Sequence, residues 1–199
     1  MKENYKFEKE ILIIQDPDLE IAIHVPFAPK QIPRDFSIER EMVIKKDEKG
    51  AIFRAYFEVD GVLEGQSLTY YPDGFIQMEC YYQKGKLHGP SRFYSGDHVL
   101  LSETWYYQGR REGKTVRRYL SGALSSIERY KEGKLHGKQE YYYETGTVKT
   151  LMHYFHEKLD GEVILFWPSG LKKREVTFQK GAFHGVDQMW DLGGVLIHA

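Results

Sequence analysis

Residues 61–65 read Gly61-Val62-Leu63-Glu64-Gly65, and this glycine pair returns at a fixed distance along most of the chain. The first glycine recurs every 24 residues, with Glu157 in the one slot where it is missing. Three glycine series share this period and stay in phase, which is the signature of a repeat protein. The first series is Gly61, Gly85, Gly109, Gly133 and Gly181; the second is Gly65, Gly89, Gly113, Gly137, Gly161 and Gly185; the third is Gly50, Gly74, Gly122, Gly146, Gly170 and Gly194, with His98 in its gap.

Each repeat contains two strand-like runs separated by turns, as the block 85–108 shows: GKLHGPSRFYSGDHVLLSETWYYQ. A Gly-x-x-x-Gly turn precedes a short run that ends in aromatic residues, and a second turn with a third-series glycine precedes a longer run. Both runs have the β-branched and aromatic content of strands and lack the spacing of a helix. The turn glycines are predicted to adopt a positive φ, which glycine does without a steric cost.

The repeat unit is therefore predicted to be one β-hairpin, and the fold class all-β. Successive hairpins would build an elongated, open, twisted antiparallel sheet that advances by about 10 Å per repeat. Alternation along the longer strands predicts a more apolar face, which carries Met78, Cys80 and Val176, and a mixed opposite face.

The predicted domain organisation follows the repeat. Residues 37–199 form the hairpin domain, with a degenerate first unit at 37–60 and clear repeats at 61–199. Residues 1–36 fall outside the repeat, and we expect an N-terminal cap with short strands, because the ends of a repeat array need cover. A small separate binding segment is the alternative interpretation of residues 1–36.

Composition narrows the function classes. The chain of 199 residues has a formal net charge of −1, which removes the simplest electrostatic argument for nucleic acid or acidic lipid. Cys80 is the single cysteine, so no intrachain disulfide forms, and the chain fits a reducing compartment. The N-terminal residues contain no apolar run long enough for a signal peptide or a membrane span. A soluble, cytoplasmic protein is expected.

The pattern Gly-Lys-Leu-His-Gly, then Tyr-Tyr-x-x-Gly, then a Glu-containing strand that ends in Tyr, resembles the variant MORN repeat. Residues 85–89 and 133–137 fit it closely, whereas residues 109–113 and 157–161 depart from it. The resemblance covers about residues 50–199. That variant is characteristic of bacterial proteins labelled as YwqK-family antitoxins of toxin–antitoxin systems. It implies a hairpin array that serves as an interaction platform, and other MORN proteins are associated with scaffolding and membrane attachment.

Three histidines occupy equivalent turn positions, which raises the question of a metal site. His88, His136 and His184 lie two repeats apart, hence about 20 Å at the strand spacing, whereas zinc needs nitrogen ligands about 2 Å from one ion. We therefore expect turn histidines that bond the local backbone. His153 and His156 lie close together but lack a third ligand. No metal and no cofactor are predicted.

The sequence does not contain a group of residues typical of a catalytic site. Cys80 lies in mid-strand, where a buried or half-buried thiol is expected instead of a nucleophile with an adjacent base. The carboxylates Glu79, Glu103 and Glu128 recur in related strands without a cleft, and cross-strand cations explain them more simply. The glycine series contain no phosphate-binding loop, since no Gly-x-x-x-x-Gly-Lys-Ser/Thr occurs. The sequence therefore predicts a protein that is not an enzyme.

Cations gather in two hairpins: Arg110, Arg111, Lys114, Arg117 and Arg118 in one, and residues 172–174 in the other. Interleaved aromatic residues could stack on a nucleic acid, but acidic residues intersperse the cations. A solvated face is the preferred interpretation, and a local protein-binding patch is the next. Membrane attachment through Arg110, Arg111, Arg117 and Arg118 stays an alternative, as does glycan binding by aromatic faces, although the chain has only three tryptophans.

The predicted function is a binding or scaffold module for a protein partner, and antitoxin-like neutralisation of that partner is the finer hypothesis. The candidate surface is an aromatic stripe across adjacent hairpins, and Trp105 is a further candidate. The stripe residues are Tyr141, Tyr143, Leu165 and Trp167. Aromatic side chains of this kind are frequent binding hot spots. The apolar segment 194–199 is predicted to be an edge strand through which two copies could pair.

Overall fold

The computed structural model describes residues 12–16, 21–25 and 40–199. Eighteen strands lie within these ranges. They are β1 (Leu12–Asp16), β2 (Ile21–Val25), β3 (Glu41–Lys46), β4 (Ile52–Val59), β5 (Val62–Tyr70), β6 (Ile76–Gln83), β7 (Lys86–Leu87), β8 (Gly89–Tyr94), β9 (Leu100–Tyr107), β10 (Arg110–Arg118), β11 (Leu124–Lys131), β12 (Lys134–Leu135), β13 (Gly137–Tyr142), β14 (Val148–Phe155), β15 (Lys158–Phe166), β16 (Lys172–Gln179), β17 (Ala182–Trp190) and β18 (Leu196–His198).

The large sheet contains 16 strands, and their spatial order follows the chain from β3 to β18 with antiparallel neighbours throughout. The short strands β7 and β12 pair with β6 and β11, each just before a break at a histidine. Because each strand pairs with its neighbours in sequence, no crossover connection is needed. The predicted all-β, open, antiparallel hairpin array is confirmed.

The first-series glycines close two-residue hairpin loops. Val59 pairs with Val62, and between them Asp60 and Gly61 have φ of 49° and 76°. Two successive positive φ values are the hallmark of a type I′ turn, whose twist matches that of the flanking strands. Five further loops repeat this geometry, and the one at His156 and Glu157 does so without any glycine.

The second-series glycines lie inside strands and not in a turn, which corrects the predicted Gly-x-x-x-Gly turn. Glu58 pairs with Leu63 and Tyr56 pairs with Ser67, so the strand around Gly65 carries two extra residues between these pairs. Gly65 sits in this bulge with φ of 100°. The turn itself needs only two residues, so the chain resumes strand pairing before the second glycine, and the bulge then bends the strand.

The third-series glycines end the turns that connect the opposite ends of the strands. The Tyr71 N–H donates to the Phe75 carbonyl oxygen, and the Gly74 N–H donates to the Tyr71 carbonyl oxygen. Gly74 has φ of 87°, and His98 takes the same slot in the next turn with φ of 65°. The positive φ predicted for the turn glycines is therefore confirmed.

The register places side chains in rows across the sheet, and one row holds most of the buried residues. The pairs Ser67–Cys80 and Val163–Val176 both lie in this row, in different halves of the array. All four side chains are buried. Most other strand side chains, on either face, are half-buried, and no helix forms among the described residues. The structure is therefore a single-layer sheet with a thin central core.

The N-terminal prediction is covered only in part. Most of residues 1–36 lie outside the described residues. The described parts of this segment are β1 and β2, which pair with each other in a separate two-stranded sheet. In the segment predicted as a degenerate first unit, β3 and β4 pair as a hairpin and join the large sheet through β5.

Candidate functional site

Two residues of the predicted aromatic stripe share one face. Tyr141 pairs with Thr150, and Thr150 pairs with Leu165, so all three side chains point to the same side of the sheet. Tyr141 and Leu165 are both half-buried. This side is called the Tyr141 face below; it also carries the buried row with Cys80 and Val176, because residues two apart on a strand share a face.

A cavity of about 310 Å³ opens beside Tyr141. Its lining combines aromatic, hydroxyl, cationic and apolar side chains: Tyr119, Ser125, Tyr141, Tyr142, Lys149, Thr150 and Met152. Burial, helped by the nearby Glu128 carboxylate, raises the pKa of Tyr141 to about 12. The phenol is therefore protonated at physiological pH and keeps its hydroxyl as a hydrogen-bond donor.

The other two stripe residues bond the neighbouring repeat. The Tyr143 hydroxyl donates to the Phe166 carbonyl oxygen at 2.9 Å, and the Trp167 indole N–H donates to the Trp190 carbonyl oxygen at 3.3 Å. Tyr71 and Tyr119 make the same bond to the carbonyl 23 residues further on. Tyr143 and Trp167 thus connect repeats at the turn edge, whatever else they contact.

Trp105 lies on the opposite face from Tyr141. Its indole N–H donates to a Glu103 carboxylate oxygen at 3.3 Å, and Glu103 pairs across the sheet with Arg92. The structure therefore does not bring Trp105 together with Tyr141 and Leu165. We call this second side the Trp105 face.

Arg92 joins two carboxylates on the Trp105 face. Its guanidinium lies 3.1 Å from Glu79 and 2.6 Å from Glu103, and the Tyr81 hydroxyl donates to Glu79 at 2.7 Å. Burial acts to raise the pKa of Glu79, but hydrogen bonds from Tyr81, Gln66 and Arg92 outweigh it and hold that pKa below its ordinary value. The prediction that cross-strand cations explain Glu79 and Glu103 is confirmed.

The residues of the predicted basic patch lie at opposite ends of strand β10. Arg110 and Arg111 begin β10, whereas Arg117 and Arg118 end it, about 25 Å away at the rise of an extended strand. Arg111 donates to the Tyr130 hydroxyl at 2.9 Å, and Arg117 lies 3.7 Å from Glu128. The prediction grouped these cations because they are close in sequence, but the strand separates its two ends.

A different set of cations was missed because its members lie far apart in the sequence. Each of these residues directly follows the second residue of a two-residue turn, and each is exposed. They recur with the period of the glycines: Lys86, Arg110, Lys134 and Lys158. The signal that could have found them is the 24-residue period, applied to charge as well as to glycine.

The turn histidines pack against aromatic rings. The His88 ring centroid lies 5.2 Å from that of Tyr107, and the His136 centroid lies 5.2 Å from that of Phe155. His88 is buried, His136 is half-buried and His184 is exposed. Burial lowers the pKa of His88 and of His136. No cluster of three or more metal-binding side chains occurs within the described ranges.

Cys80 is a buried thiol, as predicted. It is 4% exposed, and its Sγ lies 3.8 Å from the Ser67 carbonyl oxygen. Burial raises the pKa of the thiol, so Cys80 stays protonated at neutral pH. A protonated, inaccessible thiol is a poor nucleophile.

Comparisons with known proteins give one family. Residues 63–84 and 135–156 match the family described as the MORN repeat variant. The two matched segments are in phase with the glycine series. One begins two residues after Gly61, and the other begins two residues after Gly133. No curated protein matches the chain. In the part of the chain that the structure describes, no helix is long and apolar enough to cross a membrane. Two segments of the chain, residues 63–84 and 135–156, are therefore similar to the MORN repeat variant.

Proposed function

We propose that the chain is a non-catalytic protein-binding module and that its partner occupies the Tyr141 face. The observation that carries this proposal is the cavity beside Tyr141, which opens on a sheet face without a covering helix among the described residues. MORN repeats are generally binding modules, which supports the same class of function.

The chemistry of the cavity suits a side chain from a partner. Tyr141 supplies a neutral donor, Lys149 a cation, and Met152 an apolar wall. Binding hot spots concentrate where an aromatic residue lines a pocket that the partner fills. The half-buried Leu165, two strands away, extends this surface along the row.

The finer proposal is neutralisation of a protein partner, in the manner of an antitoxin, in the cytoplasm. Its support is the resemblance of residues 85–89 and 133–137 to the repeats of such proteins. A module of this kind acts by covering its partner's working surface, which requires no catalytic group. Pairing of two copies through β18, which pairs only with β17 among the described strands, remains a further prediction.

A pull-down from the source organism with three variants tests the assignment of the face. Tyr141→Ala and Leu165→Ala each remove a side chain from the Tyr141 face, while Trp105→Ala is the matched control on the Trp105 face. We expect the first two to lower partner recovery at least about tenfold, the loss typical of a hot-spot residue. Loss of the partner with Trp105→Ala alone would place binding on the opposite face and contradict the proposal.

A further inference from the structure

We propose that Lys86, Arg110, Lys134 and Lys158 form a basic column that binds an acidic, proline-rich polypeptide segment. This site lies on the Trp105 face, at the strand ends that the two-residue turns connect. It goes beyond the proposed function, since it uses a different surface from the Tyr141 cavity.

The four cations are stacked by the repeat. A Cβ built on Gly109 would lie 3.8 Å from the Lys86 Cβ, and one on Gly133 would lie 3.8 Å from the Arg110 Cβ. One on Gly181 would lie 3.6 Å from the Lys158 Cβ. Lys86, Arg110 and Lys158 therefore each lie directly against the turn of the next repeat, and the 24-residue period places Lys134 at the equivalent position. One strand lies between successive cations, so they are two inter-strand steps apart, which sets their spacing at about 10 Å.

The charges of the column are available to a ligand. All four residues are exposed, and none forms an ion pair with another residue that the structure describes. Nearby carboxylates are partly engaged, since Glu64 and Glu112 accept backbone N–H groups of the turns at Lys84 and Glu132, each at 2.7 Å. Glu132 and Glu157 also lie in these turns, and among the ion pairs of the described residues none joins either carboxylate to the column.

Aromatic residues accompany the cations in alternate repeats. Tyr107 pairs directly with Arg110, and Phe155 pairs directly with Lys158. These rings are 41% and 55% exposed, yet each is backed by a histidine ring at 5.2 Å, His88 for Tyr107 and His136 for Phe155. Polyproline II segments dock where aromatic rings line the surface, and Tyr107 and Phe155 offer two such rings.

The spacing selects the conformation of the ligand. A polyproline II helix rises about 3.1 Å per residue with three residues per turn, so every third side chain lies on one side at about 9.3 Å. That repeat is close to the spacing of the cations. An extended β-strand alternates its side chains, so a carboxylate at every third residue would face the column only half the time. A segment with Glu at every third position and proline between therefore fits both the charges and the rings.

The test uses two synthetic, fluorescently labelled peptides with five glutamates each, (Glu-Pro-Pro)5 and (Glu-Pro)5. Fluorescence anisotropy at about 50 mM salt, where exposed charges are weakly screened, measures their affinity for the full chain. We expect (Glu-Pro-Pro)5 to bind at least about fivefold more tightly, because only its carboxylates align with the column. Equal affinities would overturn the match of spacing.

Two quadruple variants separate the column from bulk charge. The column variant carries Lys86→Gln, Arg110→Gln, Lys134→Gln and Lys158→Gln, and each glutamine keeps the Cβ and Cγ methylenes of the side chain that it replaces. The control variant carries Arg117→Gln, Arg118→Gln, Lys172→Gln and Lys173→Gln, so that both lose four charges. Circular dichroism confirms that both fold, and a column variant that does not is replaced by Arg110→Gln with Lys134→Gln.

We expect the column variant to lose at least about tenfold in affinity for (Glu-Pro-Pro)5 and the control to lose less than about threefold. Equal losses would overturn the proposal in favour of non-specific attraction. Column-dependent binding of single-stranded DNA or of phosphatidylserine vesicles, without binding of the peptide, would overturn it in favour of a phosphate ligand. Because Tyr141 lies on the other face, Tyr141→Ala should leave peptide binding unchanged, so the two proposals fail separately.

Discussion

The Tyr143 hydroxyl donates a hydrogen bond of 2.9 Å to the carbonyl oxygen of Phe166, one repeat further along the array. Tyr71, Tyr119 and Trp167 make the equivalent bond from the same slot of their own repeats. Other repeats carry a shorter side chain in this slot, and it bonds its own turn instead: the Ser95 hydroxyl accepts the Val99 N–H at 3.1 Å, and Asp47 and Asp191 accept the N–H of Ala51 and Val195. A single-layer sheet has little core, and these bonds add to the backbone pairing that joins neighbouring repeats.

Removal of the Tyr143 hydroxyl should therefore destabilise the fold. Tyr143→Phe deletes the bond and leaves the Phe166 carbonyl to find another partner, and we expect the free energy of unfolding to fall by about 1 kcal/mol. Urea denaturation measures the change. Tyr107→Phe is the matched control, since the exposed Tyr107 hydroxyl bonds no described residue, and it should alter stability by less than about 0.5 kcal/mol. Equal effects of the two changes would contradict a role for the inter-repeat bond.

Glu157→Gly should stabilise the chain. Glu157 holds φ of 67° in the slot where the other first-series positions have glycine. A non-glycine residue in this region costs about 1–2 kcal/mol, and the added flexibility of glycine in the unfolded chain returns about 0.4–1 kcal/mol of that. We expect a net gain of about 0.5–1 kcal/mol in the free energy of unfolding, seen as a higher urea midpoint.

His98→Gly provides the contrast for this prediction. His98 also has a positive φ of 65° in a glycine slot, but its ring stacks on Phe75 with the centroids 3.3 Å apart. The substitution relieves the backbone and removes the stacking, so we expect no comparable gain. A larger gain at His98 than at Glu157 would show that relief of backbone strain does not explain the stabilisation.

Stability should fall as the pH drops below about 6.5, because of His88 and His136. Burial lowers the pKa of both residues in the folded state, and the nearby His156 and Lys131 act in the same direction on His136. The unfolded chain, with ordinary histidine pKa values of about 6.5, then binds more protons than the folded chain below that pH. The stabilisation that comes from keeping both imidazoles neutral is therefore present in full well above pH 6.5. It is lost progressively as the pH falls below that value.

Urea denaturation at pH 7.5, 6.5 and 5.5 measures this dependence. His88→Gln should reduce the decrease in unfolding free energy between pH 7.5 and 5.5, even if it changes stability at every pH. His184→Gln, at the exposed equivalent position, should leave the decrease as it is in the wild type. Parallel pH profiles for the wild type and His88→Gln would rule out His88 as a source of the effect.

Arg92→Leu should be strongly destabilising because it leaves two carboxylates without their shared cation. Glu79 and Glu103 side chains are only 15% and 28% exposed, and both accept hydrogen bonds from Arg92. A hydrogen bond to a charged group is worth about 1.5–3 kcal/mol, and we expect a loss in this range. Arg110→Gln, at an exposed position without an ion pair among the described residues, should cost less than about 0.5 kcal/mol. Thermal and urea unfolding compare the two variants, and equal losses would contradict the role of the network.

The fold was predictable because its determinants are local. The 24-residue period, the strand-like runs and the glycines at positive φ are all properties of short segments, and each predicted turn glycine series has the predicted backbone conformation. Asp60-Gly61 even carried the dipeptide preferred by a type I′ turn, which would have limited the predicted turn to two residues. The pattern failed at Gly65, because a glycine at positive φ in a bulge cannot be told from one in a turn by spacing alone.

The site depended on relationships that only the strand register creates. Tyr141 and Leu165 share a face because Thr150 pairs with both, whereas Trp105 reaches the opposite face. The sequence by itself determined the hairpin unit and its period, since backbone conformation is encoded within a few residues. The tertiary structure alone decided that Arg110 stands beside Lys86 and Lys134 and not beside Arg118, because a strand separates its own ends while the stacking of repeats joins residues 24 positions apart.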